Sequence, residues 1–304
     1  MCARRRIALS FSGSGHLMIY HLGVAKRLRE SPFGSQITCF AGASGGAIAA
    51  AACALLPPAL LDKFVEESAL RCDGFGGLAR ALGVQPPLAS SSTNEIVSEE
   101  LVRSTSGSLF IGATECRTGR RVLFANYDSA HELMRCILAS CAIPPSAHPF
   151  DLLRSRPPTY PEAEGIVVAP HCEWDGVSRS TEESRDQLPS SPHGEAFVDG
   201  GLSAAVPLPP AEMQLALVTV APISGPRGSL GSDHLHVCPA DDSLKLPFAA
   251  PSLAGLRCYL SVDNLVAARR TLGASPKALR KYYERGQEDA EWLLNANANW
   301  PRVN

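Results

Sequence analysis

Short, unbroken apolar runs alternate along this chain with stretches whose apolar positions recur every three or four residues. Ile7 to Phe11 is such a run, and it ends in Ser12-Gly13-Ser14-Gly15, the pattern of a buried strand entering a tight loop. Leu17, Tyr20, Val24 and Leu28 then share one helical face, with Lys26, Arg27 and Arg29 in the last turn, where a helix dipole favours cations. Ile37 to Ala41 predicts a second strand leading into Gly42, and an Ala-rich helix from Ser44 to about Leu56 follows. Strand, helix, strand, helix in immediate succession predicts a parallel sheet covered by helices.

Leu109 to Thr114 and Arg121 to Ala125 read as strands flanking a turn at Gly119, and Ala130 to Ala142 as a helix stopped by Pro144-Pro145. From Asp151 to His193 the periodicity gives way to prolines and charges, which predicts a surface insertion with Asp175 to His193 as its candidate for disorder. Phe197-Val198 and Leu215 to Val220 resume the strand pattern. The tail from Leu256 is helical, with Leu279, Tyr283, Gly286, Ala290 and Leu293 on one face. No internal repeat is visible.

Composition narrows the classes. The 304 residues suffice for one large domain or two ordinary ones, and 45% apolar content excludes disorder as the main state. A net charge of −2 gives no bulk attraction to nucleic acid. The ten cysteines are irregularly spaced and form no Cys-x-x-Cys pair, and Cys39, Cys53, Cys136 and Cys141 lie in apolar stretches; reduced intracellular thiols are expected. Arg4, Arg5 and Arg6 precede an apolar segment, but Ser12 to His16 break it and no small-x-small cleavage site closes it, so a signal peptide is not expected. The uncharged stretch from Ser31 to Leu61 is continuous as a helix only over Ser44 to Leu56, short of the ~20 residues of a membrane span. Leu55 to Leu61, interrupted by Pro57-Pro58, reads as a buried helix end or as an apolar rim over a pocket.

The sharpest chemical signal is Gly42-Ala43-Ser44-Gly45-Gly46, a G-x-S-x-G between a strand and a helix. Such an elbow strains the serine backbone and lifts its hydroxyl out of the sheet, and the flanking Gly42 and Gly46 allow close approach. Ser44 is therefore the candidate nucleophile, against the bland reading of a glycine-rich packing turn. Asp199, followed by Gly200 and Gly201 after the apolar Phe197-Val198, is the candidate base at a strand end. A direct aspartate base, with a reference pKa of ~3.9, needs either partial burial to raise its basicity or a dyad geometry that compensates for it. Gly13, Ser14 and Gly15, between the first strand and first helix, offer backbone N–H groups for an oxyanion hole. A dinucleotide loop fits worse, because Met18 stands where the third glycine of G-x-G-x-x-G belongs.

Together these pieces resemble the patatin-like phospholipases, most closely the animal-type branch that includes adipose triglyceride lipase. Ser10 to Gly15 running into Tyr20-His21-Leu22-Gly23-Val24, Ala139-Ser140-Cys141-Ala142-Ile143-Pro144, Val218-Thr219-Val220-Ala221-Pro222 with Ser224-Gly225, and Val237-Cys238-Pro239 carry the likeness, and the tail helix around Tyr282 to Leu294 fits it. The resemblance implies a three-layer α/β fold with a mainly parallel central sheet and helices on both faces. Its patatin-like domain would cover 5–225, with the insertion at about 151–193, and a mainly helical extension, 226–304, would pack on it. It further implies a Ser44–Asp199 dyad without catalytic histidine, the Gly13 to Gly15 amides as oxyanion hole, an acyl-serine intermediate, and no metal or cofactor. The implied partner is a lipid (phospholipid, acylglycerol or galactolipid) met peripherally at a membrane or lipid-droplet surface from the cytoplasm, a plastid address being the other open location. Met18 and Ala205 depart from the family pattern; the first is expected to narrow the site near the oxyanion loop, the second to loosen packing beneath Asp199.

Three other readings stand beside this one. Ser44, Asp199 and His234 or His236 follow the chain order of a conventional triad, although only two strands precede the elbow. His234, His236 and Cys238 alternate as metal ligands on one strand face would. A non-catalytic lipid-binding relative would keep the fold and ignore serine-reactive probes. Arg269-Arg270 and Arg280-Lys281 are candidates for a basic surface that meets anionic phospholipid, and Trp174 for an interface contact.

Overall fold

The computed structural model of the protein describes residues 5–84, 97–143, 166–168, 172–174, 195–241, 243, 252–253, 256–297 and 300. Strand β1 (Ile7–Phe11) is buried throughout and leads through a short 3₁₀ turn into α1 (Met18–Arg29); β2 (Ile37–Ala43) runs into α2 (Gly45–Leu55). Three helices that the sequence pattern did not resolve come next: α3 (Pro58–Glu67), α4 (Gly74–Ala81) and α5 (Glu99–Ser104). Pro58 is the first residue of α3, where its missing N–H costs nothing, so Pro57-Pro58 starts a helix as well as ending one.

Strands β3 (Leu109–Glu115) and β4 (Arg121–Phe124) precede α6 (Ala130–Ser140), capped by the Ser129 hydroxyl. Two short strands follow, β5 (Ile166–Val168) and β6 (Cys172–Trp174), and then β7 (Glu195–Asp199). β5 pairs with β7 and β6 with β4, so these parts of the expected surface insertion belong to the sheet. Asp175 to His193 and Pro144-Pro145 lie outside the described residues. Next come β8 (Ala216–Val220), β9 (Gly228–Gly231), β10 (His234–Val237), a small ribbon of β11 (Ser252–Leu253) and β12 (Leu256–Arg257), and the helices α7 (Val262–Thr271) and α8 (Pro276–Ala296).

The sheet has a parallel centre, β3-β2-β1-β8-β10, with antiparallel strands on both sides. β9 and β10 lie in it, so the sheet continues past residue 225. Ile7, Leu9 and Phe11 point into the large core shared with α1, α2 and α8, while Ala8, Cys39, Ala41 and Phe110 form a smaller cluster on the opposite face. Helices α1 and α8 cross in near backbone contact: a Cβ added to Gly23 would lie 2.1 Å from the Tyr283 carbonyl oxygen, and one on Gly286 would lie 2.3 Å from that of Tyr20. Beside this crossing the buried Tyr20 hydroxyl donates to Asp289 at 3.0 Å, and Asp289 also pairs with Arg227 and Arg285.

The edges of β3 bring the two ends of the site together. β4 pairs with Ile111 through Thr114, so β2, which pairs with Ile111 and Gly112, and β7, which pairs with Ala113 and Thr114, must both lie on the other edge. β2 climbs that edge and stops at Ala43, opposite Gly112; β7 descends it and stops at Asp199, opposite Ala113. The two strands meet end to end. Asp199 therefore closes an antiparallel strand, not one of the parallel strands, and arrives level with the residue that follows Ala43.

Candidate active site

That residue is Ser44. Its backbone sits at φ +53°, ψ −127°, a region that strains any residue with a Cβ and costs of order 1–3 kcal/mol. One side chain, that of Ser140, holds it there. The Ser44 N–H donates to Ser140 Oγ at 2.8 Å, and the Ser140 hydroxyl donates to the Gly112 carbonyl at 2.5 Å. The Ser44 hydroxyl lies beside the Asp199 carboxyl group, close enough to work against the effect of burial on it. The glycines around it are required by backbone approach: a Cβ on Gly42 would lie 2.0 Å from the Gly46 carbonyl oxygen, and one on Gly46 would lie 2.4 Å from that of Ser12.

Asp199 is only 6% exposed. Burial pushes its carboxyl up to about 6, against the opposing influence of the Ser44 hydroxyl and of the Gly201 N–H, which donates to Oδ1 at 2.7 Å. The expected lift in basicity is thus present, and its cause is desolvation. The backbone of Asp199 is tied down on both sides: its N–H donates to the Ala142 carbonyl at 2.9 Å, and its own carbonyl accepts from the Thr114 hydroxyl at 2.8 Å. Gly200 lies against β3, where a Cβ would meet the Gly112 carbonyl oxygen at 2.1 Å.

The glycine loop after β1 lies against the elbow. A Cβ on Gly45 would be 2.8 Å from the Gly15 nitrogen, and one on Gly13 would be 3.7 Å from Ser44 Cβ. Gly13 plays a different part from the one expected, because its N–H donates to the Ala205 carbonyl at 2.9 Å and is committed there. Gly15, at φ +50°, needs the freedom of glycine, and Ser14 Oγ is buried without a partner among the described residues. The loop is braced from behind by His21. Its Nε2 lies 3.0 Å from the Ser12 carbonyl, and complete burial lowers it to about 3, so the ring is neutral and donates.

Of the two departures, Met18 packs its methyl end against Gly74 at the start of α4, and the buried Ala205 holds Gly13 through its carbonyl. Ser140 is a site residue that the sequence reading quoted only as part of a motif.

His234 and His236 do not reach Ser44. His236 is in register with Thr219, Ser10 and Ala41, three strands away across the sheet, or ~14 Å at ~4.8 Å per strand. Both rings share the Thr219 hydroxyl, at 2.9 and 2.8 Å, and Cys238 Sγ lies 3.4 Å from the Gly225 nitrogen and carbonyl oxygen. This alternating trio is spent inside the fold. Cys39, Cys53, Cys72, Cys116, Cys136, Cys141, Cys238 and Cys258 are free thiols.

Within this α/β fold the strained elbow serine thus abuts the buried carboxyl group of Asp199. The family model "Patatin-like phospholipase" matches residues 9–212, and the chain belongs to that family. It is 24% identical to human Patatin-like phospholipase domain-containing protein 4 over 303 residues, covering 96% of this chain and 98% of that protein. Identity to Patatin-like phospholipase domain-containing protein 2 of Bos taurus is 26% over 303 residues, with 97% of this chain but 51% of the relative covered. The mouse protein named 1-acylglycerol-3-phosphate O-acyltransferase Pnpla3 is 24% identical over 299 residues, with 96% of this chain and 60% of the relative covered. The chain thus spans about half the length of the second of these relatives and the whole of the first.

Proposed function

We propose that this protein is a lipid acyl hydrolase that cleaves long-chain carboxylic esters on a Ser44–Asp199 dyad. The observation that carries the reading is the placement of a serine on a strained elbow beside a carboxyl group whose burial raises it to about 6, at the meeting of β2 and β7. As Ser44 Oγ attacks the ester carbonyl, its proton passes to Asp199. The carbonyl oxygen gains negative charge, which the Ser14 and Gly15 amides face at the start of the first helical turn. Collapse expels the alcohol, which takes the proton from Asp199, and leaves an acyl-Ser44 ester. Water then attacks the acyl carbon, giving its proton to Asp199, and collapse releases the fatty acid as that proton returns to Ser44 Oγ. No step calls for a histidine or a metal.

The same acyl-serine can be passed to an alcohol instead of water, and the similarity to the mouse protein named as an O-acyltransferase supports that second outcome. The substrate lipid would be met at a membrane or droplet surface, because that is where long-chain esters reside in water.

The test is hydrolysis of a short-chain nitrophenyl ester and of mixed lipid micelles by wild type, Ser44→Ala, Asp199→Asn and the His234→Ala/His236→Ala double variant. The first two variants lose nearly all turnover on both substrates and the histidine variant keeps it. Loss in the histidine variant would replace the dyad by a triad. A wild type that hydrolyses nothing and leaves Ser44 unlabelled by a fluorophosphonate would be a lipid-binding relative.

A further inference from the structure

Helix α7 has its polarity inverted. Helices at a protein surface put large apolar side chains inward and polar ones outward. In α7 the inward residues are Asn264 and Ala267, while Val262, Leu265, Val266 and the C-cap residue Leu272 face out, Leu265 at 63% and Leu272 at 80% exposure. The helix is nevertheless firmly anchored by polar contacts. Asn264 Oδ1 accepts from the Ser224 N–H at 2.7 Å, and its amide nitrogen donates to the carbonyls of Ser224 and Tyr259 at 2.8 and 2.7 Å. The N-terminal Ser261 hydroxyl donates to the buried Asp241. The apolar face is therefore held outward by a specific network.

The position of this face is equally specific. The far end of α7 rests on the glycine loop of the candidate active site, where a Cβ on Gly15 would lie 2.1 Å from the Thr271 carbonyl oxygen. Beside it, between α7, α8 and the chain leaving β8 and β10, opens a pocket of about 300 Å³ into which Arg270, Lys281 and Arg285 project, with Asp263 as the acidic residue of the lining. Arg285 is partly neutralised by Asp289 at 3.3 Å. Arg270 stacks over the Tyr282 ring at 5.6 Å, and Lys281 has no acidic partner among the described residues. Arg269 projects from the exposed side of the same helix turn. An apolar stripe rimmed by uncompensated cations is the chemistry that enters the headgroup boundary of an anionic bilayer. An oil surface would make no use of the cations, and a second copy of the chain would bring like charges together.

We propose that α7 is the docking helix of this protein for an anionic phospholipid surface, with Val262, Leu265, Val266 and Leu272 inserted among the acyl chains and the lipid phosphates seated on Arg269, Arg270 and Lys281. The proposal rests on the lipid-substrate reading and adds the lipid class and the face that meets it. Docked this way, the glycine loop lies directly against the surface from which a lipid ester is drawn.

The test is co-sedimentation with vesicles of phosphatidylcholine alone and of equal parts phosphatidylcholine and phosphatidylserine, in a Ser44→Ala background so that binding is read without turnover. The parent is expected to partition about tenfold more strongly into the mixed vesicles. Leu265→Glu/Leu272→Glu weakens binding to both vesicles by about tenfold or more, whereas Arg270→Gln/Lys281→Gln removes only the preference for the anionic ones. With Ser44 restored, both variants hydrolyse the soluble nitrophenyl ester as wild type does. The idea is overturned if Leu265→Glu/Leu272→Glu binds vesicles undiminished, if the parent shows no anionic preference, or if sedimentation velocity shows a dimer that the leucine variant splits while vesicle binding persists. Normal vesicle binding by a protein that hydrolyses no ester would sustain the docking surface and sink the catalytic reading, so the two failures are distinguishable.

Discussion

The N–H of Ser44 and the hydroxyl of Ser140 are joined at 2.8 Å, and through Ser140 the elbow is fastened to the Gly112 carbonyl of β3. Ser140 is fully buried at the end of α6 and makes both bonds with one oxygen. Ser140→Ala strands a buried donor and a buried acceptor, each worth about 1–3 kcal/mol when unsatisfied. The expected outcome is a melting temperature lowered by several degrees together with a fall in kcat of about tenfold, KM for a soluble ester being little changed. Thermal denaturation and steady-state kinetics on the same preparation check it. Ser140→Thr, which keeps the hydroxyl, should restore part of kcat.

Asp199 has to be ionised to accept a proton, so kcat/KM on a soluble ester is expected to rise with pH through an apparent pKa near 6 and then level off. The same group works against stability. Its folded value is raised from 3.8 to about 6, so its contribution is fully present below about 4 and is lost as pH rises through about 6. A shift of that size corresponds to about 3 kcal/mol. Asp199→Asn should therefore be inactive yet melt higher than wild type at about pH 8, with the gap closing towards about pH 4. A lower melting temperature for Asp199→Asn at the alkaline end would refute this.

The two buried histidines pull the other way. Burial lowers His21 to about 3 and His236 to about 4, from 6.5. The unfolded chain thus binds their protons first, and the stability they contribute is present above about 6.5 and is lost as pH falls towards their folded values. Their combined shift exceeds that of Asp199, so net stability should fall on acidification from neutral pH. Urea midpoints measured between about pH 7 and pH 4.5 report the sign, and a rising midpoint over that window would contradict it.

Gly23→Ala tests the α1–α8 crossing without touching the chemistry. The added methyl carbon would sit 2.1 Å from the Tyr283 carbonyl oxygen, and backbone cannot yield there as a side chain would. A loss of about 2–4 kcal/mol is expected. Activity per folded molecule should stay near that of wild type at low temperature, as read by active-site titration.

Much of this was legible because the signals were local. Ile7 to Phe11, Ile37 to Ala41 and the elbow glycines each specify their structure within a few residues, and β1, β2 and α2 form where the pattern puts them. Asp199 was visible only as a carboxyl group ahead of two glycines. That β7 runs antiparallel to β3 and meets β2 end to end is a tertiary fact, set by pairings across the sheet that no periodicity encodes. The role of Ser140 was hidden for a related reason: a serine near a helix end ordinarily reads as a terminus, and its partners come from β2 and β3. The loss of the Gly13 N–H to Ala205 and the outward apolar face of α7 escaped as well, the latter because a helical period gives a stripe but not the side that the core occupies.

The end-to-end meeting of β2 and β7 also bears on when reactivity can arise during synthesis. Ser44 and Asp199 are more than 150 residues apart in the chain, and β3, which both strands use as a template, is made between them. A growing polypeptide can complete β1, β2 and α2, and with them the strained serine, long before its base exists. Closing so long a loop is among the slower events of folding. Until β7 seats on β3, and α7 comes to rest against Gly15, Ser44 has no carboxyl group beside it, so on the proposed dyad an unfinished chain would carry no hydrolytic activity towards the lipids around it.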